Sequence, residues 1–199
     1  MTKYKLLNQD RTTYGGIKWP IGQWNEATGD SNQSLCTNGW LHCYDDPYLA
    51  LFLNPIHADI KNPIICEVEV AGDSKNDRGL KRGYRKMRVL KDLSIPEPTT
   101  EQRIKFAIYC TLEVYDDPNF KQWASNWLSG TDRSIRATWA AAEAVWAAWA
   151  TWAAAEAAAR ATAWAAARAA AWAAETAARA AKTIDLVSIA KKAMGETDG

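Results

Sequence analysis

Between Gly130 and Gly195 the chain contains neither glycine nor proline, and from Ala137 to Ala181 more than half of its residues are alanine. Alanine is the strongest helix former, so residues 131–183 read as one long helix. At ~1.5 Å rise per residue the part from Ala137 to Ala181 would span roughly 70 Å. A helix of that length can hold together in isolation, which a short one cannot.

On a helical wheel of about 100° per residue, this stretch sorts its side chains by size. Trp139, Trp146, Trp149, Trp152, Trp164 and Trp172 fall on one side, together with Glu143, Glu156, Arg160, Arg168, Glu175 and Arg179. The other side carries only small residues, among them Ala137, Ala144, Ala148, Thr151, Ala155, Thr162, Ala166, Ala169, Ala173 and Ala180. A bare face lets two backbones come closer than the usual ~8–10 Å between packed helices. Many contacts of ~0.1–0.2 kcal/mol each then supply the attraction. The alanine seam and the indole face are therefore the expected interaction surfaces. With no glycine or proline to mark a hairpin, a straight rod and a homo-oligomer are expected. Glu156–Arg160 and Glu175–Arg179 are i,i+4 pairs worth ~0.2–0.5 kcal/mol each, which stiffen the rod without choosing a partner.

The chain before this helix is organised differently. Lys3 to Leu7 suits a short strand. Asp46-Pro47 opens a buried helix by a carboxylate cap and a first-turn proline, and Asn54-Pro55 should stop it. Residues 64–70 form the strongest strand pattern, followed by a second strand near 84–90. Thr99 or Thr100 caps a helix running to about Tyr115, with Ile104, Ile108, Leu112 and Tyr115 inward. Asp117-Pro118 opens another, with Phe120, Trp123 and Trp127 inward and Gly130 closing it. Asp185 caps a last short helix. The expected class is α+β, with a small mixed head over 1–98 and a helical connector over 99–130. The long helix, packing by its alanine face, follows over 131–183 and a short terminal helix and tail over 184–199.

A formal charge of +1 and a mean hydropathy of −0.35 argue against a generally basic nucleic-acid binder and against a membrane protein. No apolar run reaches the ~20 residues of a spanning helix, and the first residues lack the apolar core of a signal peptide. A cytoplasmic protein with reduced Cys36, Cys43, Cys66 and Cys110 is expected.

The densest polar constellation is Cys36, Gly39, His42, Cys43, Asp45 and Asp46. Cys36 and Cys43 are too far apart for a zinc knuckle, and adjacent His42 and Cys43 point apart on a strand, so neither metal nor cofactor is expected. No nucleophile elbow or phosphate loop is present, so no catalytic residue is assigned and an enzyme is not the favoured reading. His42, Tyr44 and His57 are the candidate pocket residues of the head. Arg78, Lys81, Arg82, Arg85, Lys86 and Arg88, within 78–91, are the candidate phosphate contacts. The flanking acids Asp73, Asp77 and Asp92 favour a solvated hairpin face over nucleic-acid binding.

Two resemblances add to this reading. The run from Leu35 to Tyr44 (Leu-Cys-Thr-Asn-Gly-Trp-Leu-His-Cys-Tyr), Asp46-Pro47 and the run from Leu53 to Ala58 resemble an uncharacterised family of bacteriophage and prophage proteins. So do the runs from Thr100 to Arg103, from Glu113 to Pro118 and from Trp127 to Ser134. Members of that family end similarly in alanine-rich segments dotted with aromatic residues. The resemblance implies a phage gene acting in a bacterial cytoplasm and carries no activity; a host protein is the partner expected from the helix seam and the absence of a catalytic motif. A second likeness, in the order Gly39 to His42, Ala50 and Cys66 to Val70, is to ADP-ribosyltransferase heads. It implies a nucleotide-binding head, although residues 4–8 lack the His-Gly or Arg-Gly that holds NAD there. The expected function is a non-enzymatic interaction protein assembling through its alanine-rich helix. Counter-defence or host-factor binding is its expected setting, with a nucleotide-binding head and nucleic-acid binding through 78–91 as alternatives.

Overall fold

The computed structural model describes residues 2–134, 163–180 and 183–196. The chain is α+β, with a five-stranded sheet and, among the described residues, five α-helices. It divides into two units, 1–97 and 98–199.

The N-terminal unit contains β1 (Lys3–Leu7), β2 (Trp24–Glu26), β3 (Leu41–Cys43), helix α1 (Pro47–His57), β4 (Ile64–Asn76) and β5 (Arg82–Leu93). All strand pairs are antiparallel, in the order β1-β4-β5-β2, with β3 also along β5. Beyond β3, Tyr44 exchanges backbone hydrogen bonds with Tyr4 at 2.8 and 3.0 Å. The pairings β1·β4, β4·β5 and β5·β3, with the Tyr4–Tyr44 bridge just past β3, therefore form a closed circuit. β4 and β5 outrun their expected lengths because a tight turn continues the ladder. In that turn Gly79 (φ +82°) follows Arg78 (φ +51°), and the Asn76 side chain accepts from Gly79 N. Inside the curl lie Leu7, Trp19, Leu41, Cys43, Cys66, Val68, Met87 and Val89.

Asp46 caps α1 by accepting from Tyr48 N and Leu49 N at 2.8 and 3.0 Å. The helix does not stop at Asn54-Pro55 as the sequence suggests; it runs through Pro55 to His57. Proline falls in the last turn, where one missing hydrogen bond is tolerable. Asn54 then ties the end down, its side chain donating to Ile60 O at 2.9 Å and accepting from Ile60 N at 3.1 Å.

The C-terminal unit contains α2 (Thr100–Leu112), α3 (Pro118–Ser129), α4 (Ala163–Arg179) and α5 (Leu186–Met194). Thr99 and Gln102 form a reciprocal capping box on α2. Asp117 caps α3, Gly130 (φ +80°) closes it, and Asp185 caps α5. α2 ends at Leu112, short of the expected Tyr115; Leu112 and Tyr115 are half-buried, while Ile104 and Ile108 are core. Phe120, Trp123 and Trp127 are buried as expected. α4 and α5 both lie against α2, and Gln102 reaches the Met194 carbonyl at 3.3 Å.

Candidate functional site

β1 is a strand whose inward positions hold lysines. Lys3, Lys5 and Leu7 share one face, opposite Val68, Cys66 and Ile64 of β4. Lys3 and Lys5 are only 2% and 7% exposed, and a lysine this buried is a departure from the usual rule. Buried ionisable groups mark candidate functional sites.

Each lysine has its own surroundings. Lys3 pairs with Asp45, and Arg82 donates through Nε to both oxygens of the same carboxylate at 2.7 and 2.9 Å. Burial pushes the Asp45 carboxyl up, but the hydrogen bonds from Lys3 and Arg82 prevail and hold it below the usual carboxylate range. Lys5 donates to His42 O at 2.8 Å and stands over the Trp19 ring, 4.3 Å from its centre. Burial lowers its amine to about 8, against a smaller opposing pull from Cys43 and Cys66. Desolvation pushes the Cys43 and Cys66 thiols up to about 12. Cys110 is likewise raised by burial. Thiols held protonated are poor nucleophiles, so these three buried cysteines act as small core residues.

The lid of this interior is the segment between β1 and β2. Trp19, 1% exposed, is fixed by Nε1 donating to Thr13 Oγ1 at 2.9 Å. Arg11 (φ +61°) donates to Trp19 O at 3.1 Å and clasps both oxygens of Asp92 at 2.8 and 3.0 Å. Cys66 Sγ donates to the same carboxylate at 3.3 Å. Lys3 and Arg82 thus share the Asp45 carboxylate, while Lys5 is held by the His42 carbonyl and the Trp19 ring.

The residues singled out from the sequence are distributed differently. Tyr44 and His57 do meet: their rings are stacked at 6.1 Å, and the Tyr44 hydroxyl lies 3.4 Å from His57 Nδ1. Tyr44 is buried, which raises its hydroxyl. His42 turns elsewhere, its ring hydrogen-bonded to the Leu35 carbonyl, and burial lowers it to about 4. Among the basic residues, Arg82 is spent on Asp45 and Arg85 on the carbonyls of Gly29, Gly39 and Ala27. Lys86 pairs with Glu26 at 2.7 Å, Arg88 with Glu69 at 2.6 Å, and Lys81 contacts Cys36 Sγ at 3.2 Å. Arg78 lies in the β4–β5 turn. Arg82 and Arg85 are thus braced inward, while Lys86 and Arg88 pair with acidic residues at the surface of the hairpin. Among the described residues no group of three or more His, Cys, Asp or Glu side chains is placed to hold a metal ion.

On α4, Ala166, Ala169 and Ala173 of the expected seam are buried, and Ala180 is half-buried. Trp164 and Trp172 are 47% and 51% exposed, with Arg168 exposed between them. Ala137, Ala144, Ala148, Thr151, Ala155, Thr162, Trp139, Trp146, Trp149 and Trp152 lie outside the described residues. A groove of about 850 Å³ in the same unit is lined by Tyr109, Leu112, Lys121, Leu128, Ile189 and Lys192, among others.

Sequence reasoning missed the β1 lysines, Arg11 and Asp92. It placed a strand at residues 3–7, but alternation does not say which face turns inward, and a polar-out rule would have put both lysines in water. No helix among the described residues is long and apolar enough to cross a membrane.

Neither the curated proteins nor the solved structures contain a match to this chain. The family whose model does match is described as a domain of unknown function (DUF7666), and it aligns with residues 1–101, which take in the whole curled sheet and its buried lysines. On that match the chain belongs to the DUF7666 family.

Proposed function

We propose that the chain is a non-enzymatic interaction protein of phage type. It works in a bacterial cytoplasm by assembling copies through its C-terminal helix and presenting its N-terminal unit to a host factor, such as part of a defence system. The observation that carries this reading is the two-sidedness of α4. Its small residues are buried in its own unit, while Trp164 and Trp172 remain about half exposed. Each indole can bury ~150–250 Å² when covered, so leaving two on one regular helix forgoes a large hydrophobic gain that a partner would recover. Since Ala166, Ala169 and Ala173 are already occupied within the chain, the indole side is the side that meets another copy. The double variant Trp164→Ser/Trp172→Ser tests this by analytical ultracentrifugation. Association should weaken at least tenfold with helicity unchanged; a strictly monomeric wild-type chain at tens of micromolar sinks the reading.

A second reading, an anion- or nucleotide-binding N-terminal unit, draws support from the buried cations Lys3 and Lys5 on β1. Calorimetry with NAD and ADP-ribose tests it, and absence of heat with both removes it. Nucleic-acid binding through 78–91 is the less favoured alternative, because Arg82 and Arg85 are committed to Asp45 and to backbone carbonyls.

A further inference from the structure

We propose that β2 is a second assembly surface, at which the free edge of the sheet pairs antiparallel with β2 of a second copy. β2 is the end strand of the order β1-β4-β5-β2. Its inner side is spent on β5: Asn25 faces Met87, and Ala27 N donates to Arg85 O at 2.9 Å. Antiparallel ladders alternate, so the N–H and C=O groups of Asn25 and Ala27 turn to β5, and those of Trp24 and Glu26 turn outward.

Sheet edges are normally blunted by charge or cover, yet this one is rimmed with apolar surface. Trp24 is 37% exposed, Ile21 57% and Leu90 40%. Ile21 bridges to Val89, which brings it beside Leu90. Ile21, Trp24 and Leu90 are thus three of the seven large apolar side chains left exposed among the described residues.

The edge is complementary to itself. A twofold axis through Asn25 sets Trp24 opposite Glu26 of the second copy, and the reverse. The outward N–H and C=O groups of both residues are then satisfied by four hydrogen bonds. Charges alternate across the joined sheet as well. Arg88 stands 4.9 Å from the Trp24 ring centre, and Lys86 pairs with Glu26 at 2.7 Å. Each row then runs Arg88, Trp24, Glu26 of the second copy, Lys86 of the second copy, with no like charges adjacent. An extended peptide from another protein would gain the same backbone bonds but not this charge order. The second copy is thus the occupant the edge fits. Self-pairing contacts of this kind are isologous, and two of them on one chain carry assembly beyond a dimer.

The inference rests on the reading of the chain as an assembling protein, and the test separates the two. In Trp164→Ser/Trp172→Ser the α4 contact is gone and a dimer should persist. Adding Glu26→Lys to that background should weaken the dimer at least tenfold while circular dichroism stays unchanged. Asn25→Cys with Cys36→Ser should form a disulfide between two chains, because the two Asn25 positions would be a non-hydrogen-bonded pair with Cα atoms ~4.5 Å apart. A wild-type oligomer that becomes monomeric in Trp164→Ser/Trp172→Ser overturns the β2 contact and leaves the α4 reading standing. Absence of the Asn25→Cys cross-link also overturns it, including where the chain instead captures foreign peptides. A monomeric wild type removes both.

Discussion

The side-chain amine of Lys5 lies 4.3 Å from the centre of the Trp19 ring, within the core of the N-terminal unit. The ring face offers a cation partial compensation, and the His42 carbonyl accepts one of its protons. Neither replaces a full hydration shell, so the amine is held at about 8 instead of the usual 10.5.

That shift has a definite consequence for stability. Between about pH 8 and 10.5 the unfolded chain keeps a proton on Lys5 that the folded chain has released. Stability contributed by this group therefore rises with pH across that window and is lowest below it. Cys43 and Cys66 act oppositely at higher pH, since the folded state holds their protons up to about 12. The difference between wild type and Lys5→Met isolates the lysine: from about pH 8 to about pH 9 wild type should gain about 1 kcal/mol on the variant in urea unfolding. Parallel stability curves for the two proteins would show that the amine is not desolvated.

Asp45 joins Lys3 to Arg82. Removing it takes from Lys3, whose side chain is 3% exposed, the carboxylate that it pairs with. Breaking a buried pair on one side is the costly direction. Asp45→Ala should lose about 3 kcal/mol in urea unfolding, and Arg82→Ala less, because Arg82 is about one-third exposed. The folded carboxyl lies below its usual range, so this stabilisation is present at neutral pH and fades as pH falls through the folded value.

Gly83 on β5 is a point of close approach. A Cβ there would fall 2.4 Å from Leu35 Cδ1 and 2.8 Å from Trp40 Cβ. Gly83→Ala must push the 35–40 segment off the strand, at about 1–3 kcal/mol. Thermal unfolding measures the loss, and a shift in Trp40 fluorescence should accompany it.

The two sides of α4 should respond to substitution in opposite ways. Ala170 is fully buried and sits near the middle of the buried arc, so Ala170→Leu overpacks it and costs about 1–3 kcal/mol of folding stability. Trp172→Ala, at a site 51% exposed, should change folding stability by no more than about 0.5 kcal/mol while weakening association. Equal destabilisation by both would mean that the indole is part of the fold's own core.

The helix starts of this protein were legible in its sequence because capping is local. Asp46, Thr99 with Gln102, Asp117 and Asp185 each satisfy backbone groups two or three residues away, and Gly130 ends α3 by its own backbone conformation. The size sorting of α4 was legible too, since period and side-chain volume are both printed in the chain. Tertiary structure alone decided which face of β1 turned inward, because alternation defines two faces and ranks them only by polarity, and here the lysine face lost that ranking. It also decided that Pro55 stays helical, through the bonds Asn54 makes to Ile60, and that Arg82 and Arg85 serve the interior rather than a ligand. Their partners Asp45, Gly29 and Gly39 are tens of residues distant. Such pairings are chosen by the closure of the sheet as a whole, and a sequence window contains no record of that closure.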